Sequence, residues 1–161
     1  MSISKGGQSL KPYVGGKEVS EAYVGSQLVY KSGPNPVTVF NGSVSTSISP
    51  EVIWMGTPGL VEGNIPNAKL IVRPGINNGF WCKGKFETLH LRYAFNIGAY
   101  ITLHFYKDNV DMGTTTIDVR NVSQYTADIK ALANEAGIDY DGVGVSGRQS
   151  TGFSVNFAML Y

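Results

Sequence analysis

The feature that most constrains the fold of this chain is a series of short runs in which apolar residues recur with a period of two. Each run is bounded by turn-forming residues. Alternation of apolar and polar residues places successive side chains on opposite faces of an extended backbone, which favours half-buried strands. Turn clusters such as Gly56-Thr57-Pro58-Gly59 separate the runs. Beyond residue 36, the strand-like runs are residues 37–40, 52–55, 68–73, 80–83, 86–95, 99–107, 114–122, 143–146 and 153–161. These are enough strands for two packed sheets, so the sequence predicts an all-β fold with a β-sandwich or jelly-roll-like domain.

One segment departs from the strand pattern, residues 126–137. It begins with Thr126, whose hydroxyl can cap a helix, and it ends at Gly137, a residue typical of helix C-termini. Between them, apolar residues at helical spacing form one stripe: Ile129, Leu132, Ala133 and Ala136. The segment therefore predicts a short helix that closes one end of the sandwich.

The alternating runs at residues 86–95 and 99–107 are predicted to pair as a hairpin. Their alternating apolar residues have odd numbers, namely Leu89, Leu91, Tyr93, Phe95, Ile101, Leu103 and Phe105. The apolar sides of both strands can face one core only if a three-residue loop, Asn96-Ile97-Gly98, joins the strands. The strand register that this loop sets places His90 opposite His104. The last run alternates in the same way, with these residues on one face: Phe153, Val155, Phe157, Met159 and Tyr161.

The first thirty residues contain a repeat at an offset of ten, residues 13–19 against residues 23–29. Each copy places a pair of small residues, Gly15-Gly16 or Gly25-Ser26, between short strands. A two-residue hairpin turn needs such a pair because glycine enters positive φ at little cost. The repeat predicts a three-stranded meander in which Pro12 lies opposite Val19 and Tyr23 lies opposite Leu28.

This meander has one apolar face, and three short strands alone bury too little surface to offset their ordering entropy. The face is therefore predicted to dock on another body or, as the alternative, to pack against the rest of the chain. The predicted docking and oligomerisation residues are Tyr13, Val19, Tyr23, Leu28 and Tyr30. Pro34 and Pro36 cannot donate to a strand ladder, so pairing should stop there. The predicted organisation is a docking meander at residues 1–33, a linker at 34–36 and a head domain at 37–161.

The stretch YVGGKEVSEAYVGSQLVYKSGP, residues 13–34, resembles the short meander near the start of many bacteriophage structural proteins, especially tail-fibre and head-fibre components. In those proteins the pattern YVG…LVYK precedes a Pro/Gly linker and a variable β-domain. The resemblance implies a virion appendage, and it implies a homotrimer because fibre proteins of this kind are commonly trimers. No coiled-coil heptads or β-helical shaft follow the meander, so a short spike or decoration is expected.

The charge and hydropathy of the sequence limit the classes of partner that this chain is expected to bind. Thirteen Lys and Arg against twelve Asp and Glu give a formal charge of +1 without a run of like charge, so no nucleic-acid partner is expected. No apolar run approaches the roughly 20 residues of a membrane span, and no secretory signal is evident at the start, so no membrane association is expected. Cys82 has no partner for an intrachain disulfide. Synthesis in the reducing cytoplasm of a host bacterium and assembly into the virion are expected.

Candidate catalytic and metal-binding patterns are weak. His90 and His104 could hold a metal only with a third ligand that the pattern does not supply. Asp139-Tyr140-Asp141-Gly142 resembles half of a calcium loop but lacks the closing Glu, so a turn is the better interpretation. Scattered carboxylates without a pairing spacing are the remaining candidates for glycoside hydrolysis: Glu51, Glu62, Glu87, Asp108 and Asp111. The sequence therefore predicts a non-enzymatic protein without a cofactor or a metal.

Outward aromatic residues are the better candidates for binding. Tyr100 and Tyr106 have the outward parity of their strand, with His104 beside them and Arg92 on the strand predicted to pair with it. These four residues are predicted to form a surface contact patch, for a neighbouring subunit in preference to a host-surface glycan. The alternative is a carbohydrate-binding module or lectin-like adhesin that uses aromatic platforms: Trp54, Trp81, Tyr100 or Tyr106.

Taken together, the patterns and the resemblance predict a phage virion structural protein of the head-fibre, tail-fibre or decoration type. It would dock on capsid or tail proteins through its meander and display the β-sandwich for assembly or host attachment.

Overall fold

The structure is a computed structural model that describes residues 4–5, 8–9, 13–14, 17–18, 21–24, 27–31, 33–42, 49–56, 60–64, 68–93, 100–120, 122–148 and 151–161. The chain divides into two compact units, Met1–Pro34 and Asn35–Tyr161. The division lies beside Pro34 and Pro36, which interrupt strand pairing because they lack a backbone N–H.

Short antiparallel hairpins make up the described part of the first unit. Its strands are β1 (Ser4–Lys5), β2 (Gln8–Ser9), β3 (Tyr13–Val14), β4 (Lys17–Glu18), β5 (Glu21–Val24) and β6 (Gln27–Lys31). They pair two by two, β1 with β2, β3 with β4 and β5 with β6. Val14 pairs with Lys17 and Val24 with Gln27, so the β3–β4 and β5–β6 hairpins have the predicted two-residue loops.

Tyr23 pairs with Leu28, as predicted. The predicted pair of Pro12 with Val19 lies outside the described residues. The described strands form three pairs, and the predicted meander would join two of these pairs through one middle strand. A continuous middle strand would require residues 19–20, which are also outside the described part.

Two antiparallel sheets form the second unit. The six-stranded sheet contains β7 (Val37–Phe40), β9 (Leu60–Glu62), β10 (Lys69–Val72), β12 (Thr88–Tyr93), β15 (Gln124–Asp128) and β17 (Phe153–Leu160). The five-stranded sheet contains β8 (Val52–Met55), β11 (Gly79–Lys83), β13 (Tyr100–Lys107), β14 (Val110–Asp118) and β16 (Gly142–Gly147). The strand orders are β15-β12-β17-β10-β9, with β7 also pairing with β17, and β14-β13-β16-β11-β8.

A single apolar core contains side chains from both sheets. Its largest fully buried members include Leu70, Phe80, Leu89, Leu91, Ile101, Leu103, Phe105, Phe153 and Leu160. Most of the central strands contribute alternate residues to this core, because the side chains of a strand point to opposite faces in turn. The predicted all-β sandwich is confirmed.

The predicted hairpin of residues 86–95 with 99–107 is wrong. Strand β12 pairs with β15 and β17, whereas β13 pairs with β14 and β16 in the other sheet. Among the described residues, those predicted to face the core are correct for both strands. Alternation along a strand predicts which of its faces is buried, but it does not predict which other strand pairs with it. The loop Asn96-Ile97-Gly98 lies outside the described residues. Strand β13 instead forms a hairpin with β14 through Asp108 and Asn109, whose φ angles of 52° and 66° suit a two-residue turn.

The alternation predicted for the last strand fails at a β-bulge. Arg92 pairs with Phe157 while Tyr93 pairs with Val155, so Asn156 is an extra residue in β17. Beyond the bulge the parity reverses. Ala158 and Leu160 are fully buried, whereas Phe157 and Met159 are partly exposed and Tyr161 is exposed.

The predicted helix exists, but it starts later than expected. Helix α1 spans Ile129–Ala136, and the Asp128 carboxylate accepts a hydrogen bond from the Ala131 N–H at 2.8 Å. Asp128 is therefore the N-cap in place of Thr126, which belongs to β15 and pairs with His90. Gly137 ends the helix with a φ of 67°, as predicted. Of the predicted stripe, Ile129 and Ala133 are buried, Leu132 is half-buried and Ala136 is exposed.

Candidate functional site

The outward side of the five-stranded sheet carries three of the four predicted contact residues. Strand β13 places Tyr100, His104 and Tyr106 on this side, since Ile101, Leu103 and Phe105 fill the core. We use the name aromatic face for the cluster of Trp81, His104 and Tyr106. The rings of Trp81 and Tyr106 lie 5.0 Å apart between centroids, and the rings of His104 and Tyr106 lie 6.1 Å apart in a stacked arrangement.

The aromatic face rests on a strand with small outward residues. Trp81 and His104 flank Gly144 in register on either side of β16. A Cβ on Gly144 would lie 3.0 Å from Cε2 of Tyr106 and 3.1 Å from Cβ of Trp81. The rings therefore pack directly on the backbone of β16, and a side chain at Gly144 would have to displace them by a few tenths of an ångström. Small residues at alternate positions of β16, Gly142, Gly144 and Ser146, are the sequence signal that predicts such packing.

His104 is buried and bound through both ring nitrogens. Nδ1 lies 3.0 Å from a carboxylate oxygen of Asp111, and Nε2 lies 2.7 Å from Oγ of Ser146. The order Asp, His, Ser is that of a hydrolase triad. Ser146 is fully buried near the end of β16, and its hydroxyl also contacts the Gly147 carbonyl oxygen at 3.2 Å. The Ser146 hydroxyl is therefore closed off from solvent, and the contacts with Asp111 and Ser146 hold the imidazole in a fixed orientation.

Tyr106 is anchored at the edge of the aromatic face. Its hydroxyl donates a hydrogen bond to the sulfur of Met55 at 3.0 Å. Burial, followed by the nearby Asp111 carboxylate, raises the pKa of Tyr106. The phenol is therefore neutral at physiological pH and offers a polar atom beside the rings.

Tyr100 lies at the other end of β13, between charged side chains. The guanidinium carbons of Arg120 and Arg148 lie 4.8 Å and 4.9 Å from its ring centroid. Arg120 also binds Asp118, and this hydrogen bond lowers the pKa of Asp118 to about 2. These guanidinium groups contact the ring that the sequence predicts as an open platform.

Arg92 does not join the predicted contact patch. It lies on β12 in the six-stranded sheet and pairs with Phe157, whereas the other three predicted residues lie on β13. His90 lies on the same strand as Arg92 and pairs with Thr126 and Met159, not with His104. Both corrections have one cause, the assignment of β12 and β13 to different sheets.

The remaining acidic candidates make ordinary polar contacts. Asp139 accepts hydrogen bonds from Lys107 at 2.9 Å and Lys85 at 3.2 Å, which lower its pKa. The Asp141 carboxylate lies 3.2 Å from the backbone N–H of Asp108, next to the β13–β14 turn. The carboxylates of the predicted turn at residues 139–142 thus bind lysine side chains and a backbone amide of their own chain.

Trp54, another candidate sugar platform, packs edge to face on the buried ring of Phe80. Of the four platform candidates, Trp81 and Tyr106 alone are neighbours on one outward surface in the described sandwich.

Comparison with family models, curated proteins and solved structures finds no match.

The buried thiol and the described residues as a whole offer few further sites. Burial raises the pKa of Cys82 to about 12, so its thiol is protonated at physiological pH. No group of three or more His, Cys, Asp or Glu side chains gathers in metal-binding geometry within the described ranges. Of the helical structure in these ranges, nothing has the length and apolar character needed to cross a membrane.

The predicted docking residues belong to the first unit. Tyr13 lies in β3, Tyr23 in β5, and Leu28 and Tyr30 in β6, while Val19 lies outside the described residues. Their role in docking remains a prediction.

Proposed function

We propose that this chain is a non-enzymatic phage virion structural protein, a head-fibre, tail-fibre or decoration component. The hairpin unit docks on capsid or tail proteins, and the β-sandwich is displayed outward for assembly or host attachment. The observation that carries the proposal is the division of the chain into a small hairpin unit, Met1–Pro34, and a sandwich with its own core.

The hairpin unit supports a docking role through its size. Its described strands are two to five residues long. Isolated two-stranded hairpins are marginal in water because they bury little apolar surface. Contact with a second body supplies the missing burial, and a homotrimer or a particle surface provides such a body.

The outer surface of the sandwich supports a role in binding other molecules. Its outward surfaces carry aromatic rings in two places, the aromatic face and the region of Phe157 and Tyr161. Aromatic side chains supply the anchors of protein interfaces because they combine a large apolar area with a polar atom. The full burial of Ser146 in the Asp111–His104–Ser146 arrangement favours a binding protein over a hydrolase.

Removal of the hairpin unit tests the proposal. The full chain is compared with a variant that lacks residues 1–33, by sedimentation for assembly state and by mass spectrometry of purified particles for incorporation. We expect the full chain to form trimers and enter particles, and the variant to remain a folded monomer that stays outside. A full chain that is monomeric and is never found in particles would sink the proposal.

A carbohydrate-binding module is the second candidate, favoured by the contact of Trp81 with Tyr106 on one outward surface. Adjacent rings can stack on sugar rings in the manner of a platform. A glycan array with the full chain is the test, with Trp81→Leu expected to abolish binding. Val110→Ser is the matched control, because Val110 is an exposed apolar residue at the turn of the same sheet. Equal binding by both variants would contradict this candidate.

A further inference from the structure

The outward side of the six-stranded sheet contains a groove that the sequence did not predict. It has a volume of about 340 Å³ and is lined by His90, Arg92, Phe157, Met159 and Tyr161. All five side chains come from the neighbouring strands β12 and β17 or from the residue that follows β17. The volume lies at the lower end of the range for small-ligand sites.

The bulge at Asn156 creates this groove. A regular β17 would send Phe157, Met159 and Tyr161 into the core and Ala158 and Leu160 outward. The extra residue reverses this order, so the large side chains line the outer surface. Bulges that re-aim side chains in this way are common beside binding sites.

Arg92 is held in place at one end of the groove. Its Nε donates a hydrogen bond to the side-chain oxygen of Asn156 at 3.0 Å, and its guanidinium carbon lies 5.3 Å from the ring centroid of Phe157. The bulge residue therefore fixes the guanidinium plane. No partner is seen for the two terminal nitrogens among the described residues, and these nitrogens are the fork that binds a carboxylate through two hydrogen bonds.

His90 is held in a similar way beside Arg92. Its Nδ1 lies 2.8 Å from Oγ1 of Thr126, and its ring meets the ring of Phe157 at 63° with centroids 5.7 Å apart. Within the described part of the chain Nε2 has no hydrogen-bond partner, so it is available to a ligand. The acidic residues at this end of the sheet are engaged elsewhere, Glu87 with Lys130 and Asp128 with the helix N-terminus.

We propose that this groove binds a sugar ring that carries a carboxylate. Arg92 binds the carboxylate, His90 and the Tyr161 phenol bind ring hydroxyls, and Phe157 and Met159 contact the apolar face of the ring. A hydroxylated ring matches this lining because polar donors surround an apolar floor, and the lining includes a fixed cation and no acidic side chain. This inference names a ligand class for the displayed sandwich, and it rests on the proposed function.

Titration of the full chain with two matched sugars tests the proposal. Methyl glucuronide is the probe, methyl glucoside is its neutral counterpart, and inorganic phosphate is the simple anion; binding is followed by amide NMR shifts. We expect the glucuronide to shift signals of His90, Arg92 and Phe157 and to bind at least about tenfold more tightly than the glucoside, the effect of one charge-assisted interaction. Arg92→Gln should remove this preference.

Arg148→Gln is the matched control. Arg148 is also an exposed arginine over an aromatic ring, but it lies beside Tyr100 on the other sheet. We expect this variant to bind the glucuronide as the unchanged chain does. Because binding is measured on the chain itself, its failure leaves the docking role of the hairpin unit intact.

Four results would overturn the proposal. The first is no shift with any probe, and the second is equal binding of glucuronide and glucoside. The third is phosphate binding as tight as that of the glucuronide, which would identify a general anion site. The fourth is concentration-dependent broadening of the groove signals without sugar binding, which would identify an interface between copies of the chain.

Discussion

Removal of the Ser146 hydroxyl gives the sharpest test of the packing under the aromatic face. In the Ser146→Ala variant, Nε2 of His104 loses the oxygen that now lies 2.7 Å away. His104 and Ser146 are buried, so water does not replace the lost partner. A buried polar group that loses its partner costs about 1–3 kcal/mol, and we expect the free energy of unfolding to fall by that amount.

A double-mutant cycle separates this interaction from other effects of the substitution. In the background of His104→Phe, no imidazole nitrogen needs the hydroxyl, and the serine retains only its contact with the Gly147 carbonyl. The second substitution should then cost less than it does in the unchanged chain, and we expect the difference, the coupling free energy of the two residues, to be about 0.5–3 kcal/mol. Urea unfolding measures all four proteins, and an unchanged m-value shows that stability alone has changed.

Ser154→Ala is the matched control for this cycle. Ser154 is also a buried serine on a strand, but its hydroxyl has no hydrogen-bond partner in the described structure. Its removal should be neutral or stabilising, because no partner is left unpaired. Equal costs for Ser146→Ala and Ser154→Ala, or strict additivity in the cycle, would refute the assigned role of the His104–Ser146 hydrogen bond.

Three further predictions concern backbone packing, ionisation and reactivity. Gly79→Ala should prevent stable folding, since a Cβ would overlap the backbone oxygen of Val145 in β16. At Gly144 a Cβ meets the movable Tyr106 ring at 3.0 Å and other atoms at 3.1 Å or more, so Gly144→Ala should be destabilising but leave a cooperative thermal transition. Arg120→Gln should raise the pKa of Asp118 from about 2 toward its ordinary value of 3.8, as measured by NMR titration of the carboxyl group. The stability that the Asp118–Arg120 pair contributes is complete above pH 3.8 and is lost as the pH falls through about 2. The Cys82 thiol, with its pKa of about 12, should react slowly with a thiol reagent in the native chain and rapidly in urea; equal rates would contradict its burial.

Local chemistry was enough to predict the hairpin loops and the inward residues of β12 and β13. Gly15-Gly16 and Gly25-Ser26 predicted two-residue loops because the turn requires positive φ, and the register of β3–β4 and β5–β6 agrees. Leu89, Leu91 and Leu103 predicted the buried parity of their strands in the same local way. The helix was also predicted, although Asp128 caps it in place of Thr126.

The candidate sites could not be predicted in the same way. The partners of His104, which are Asp111 and Ser146, lie on strands that sequence alternation does not place beside β13. The groove beside Arg92 depends on the bulge at Asn156, which changes the parity of all later residues in β17. Nothing in the period-two pattern of residues 153–161 signals the extra residue.

By itself, the sequence determined most of the extended segments, although not β9 or β15, together with many of the turns and the apolar side of most strands. These properties depend on neighbours along the chain, through side-chain alternation and the allowed φ of each residue. Only the tertiary structure decided which strands lie side by side, and with them the surroundings of His90, Arg92 and His104. Strand pairing depends on contacts between residues distant in sequence, and several pairings can bury the same apolar faces.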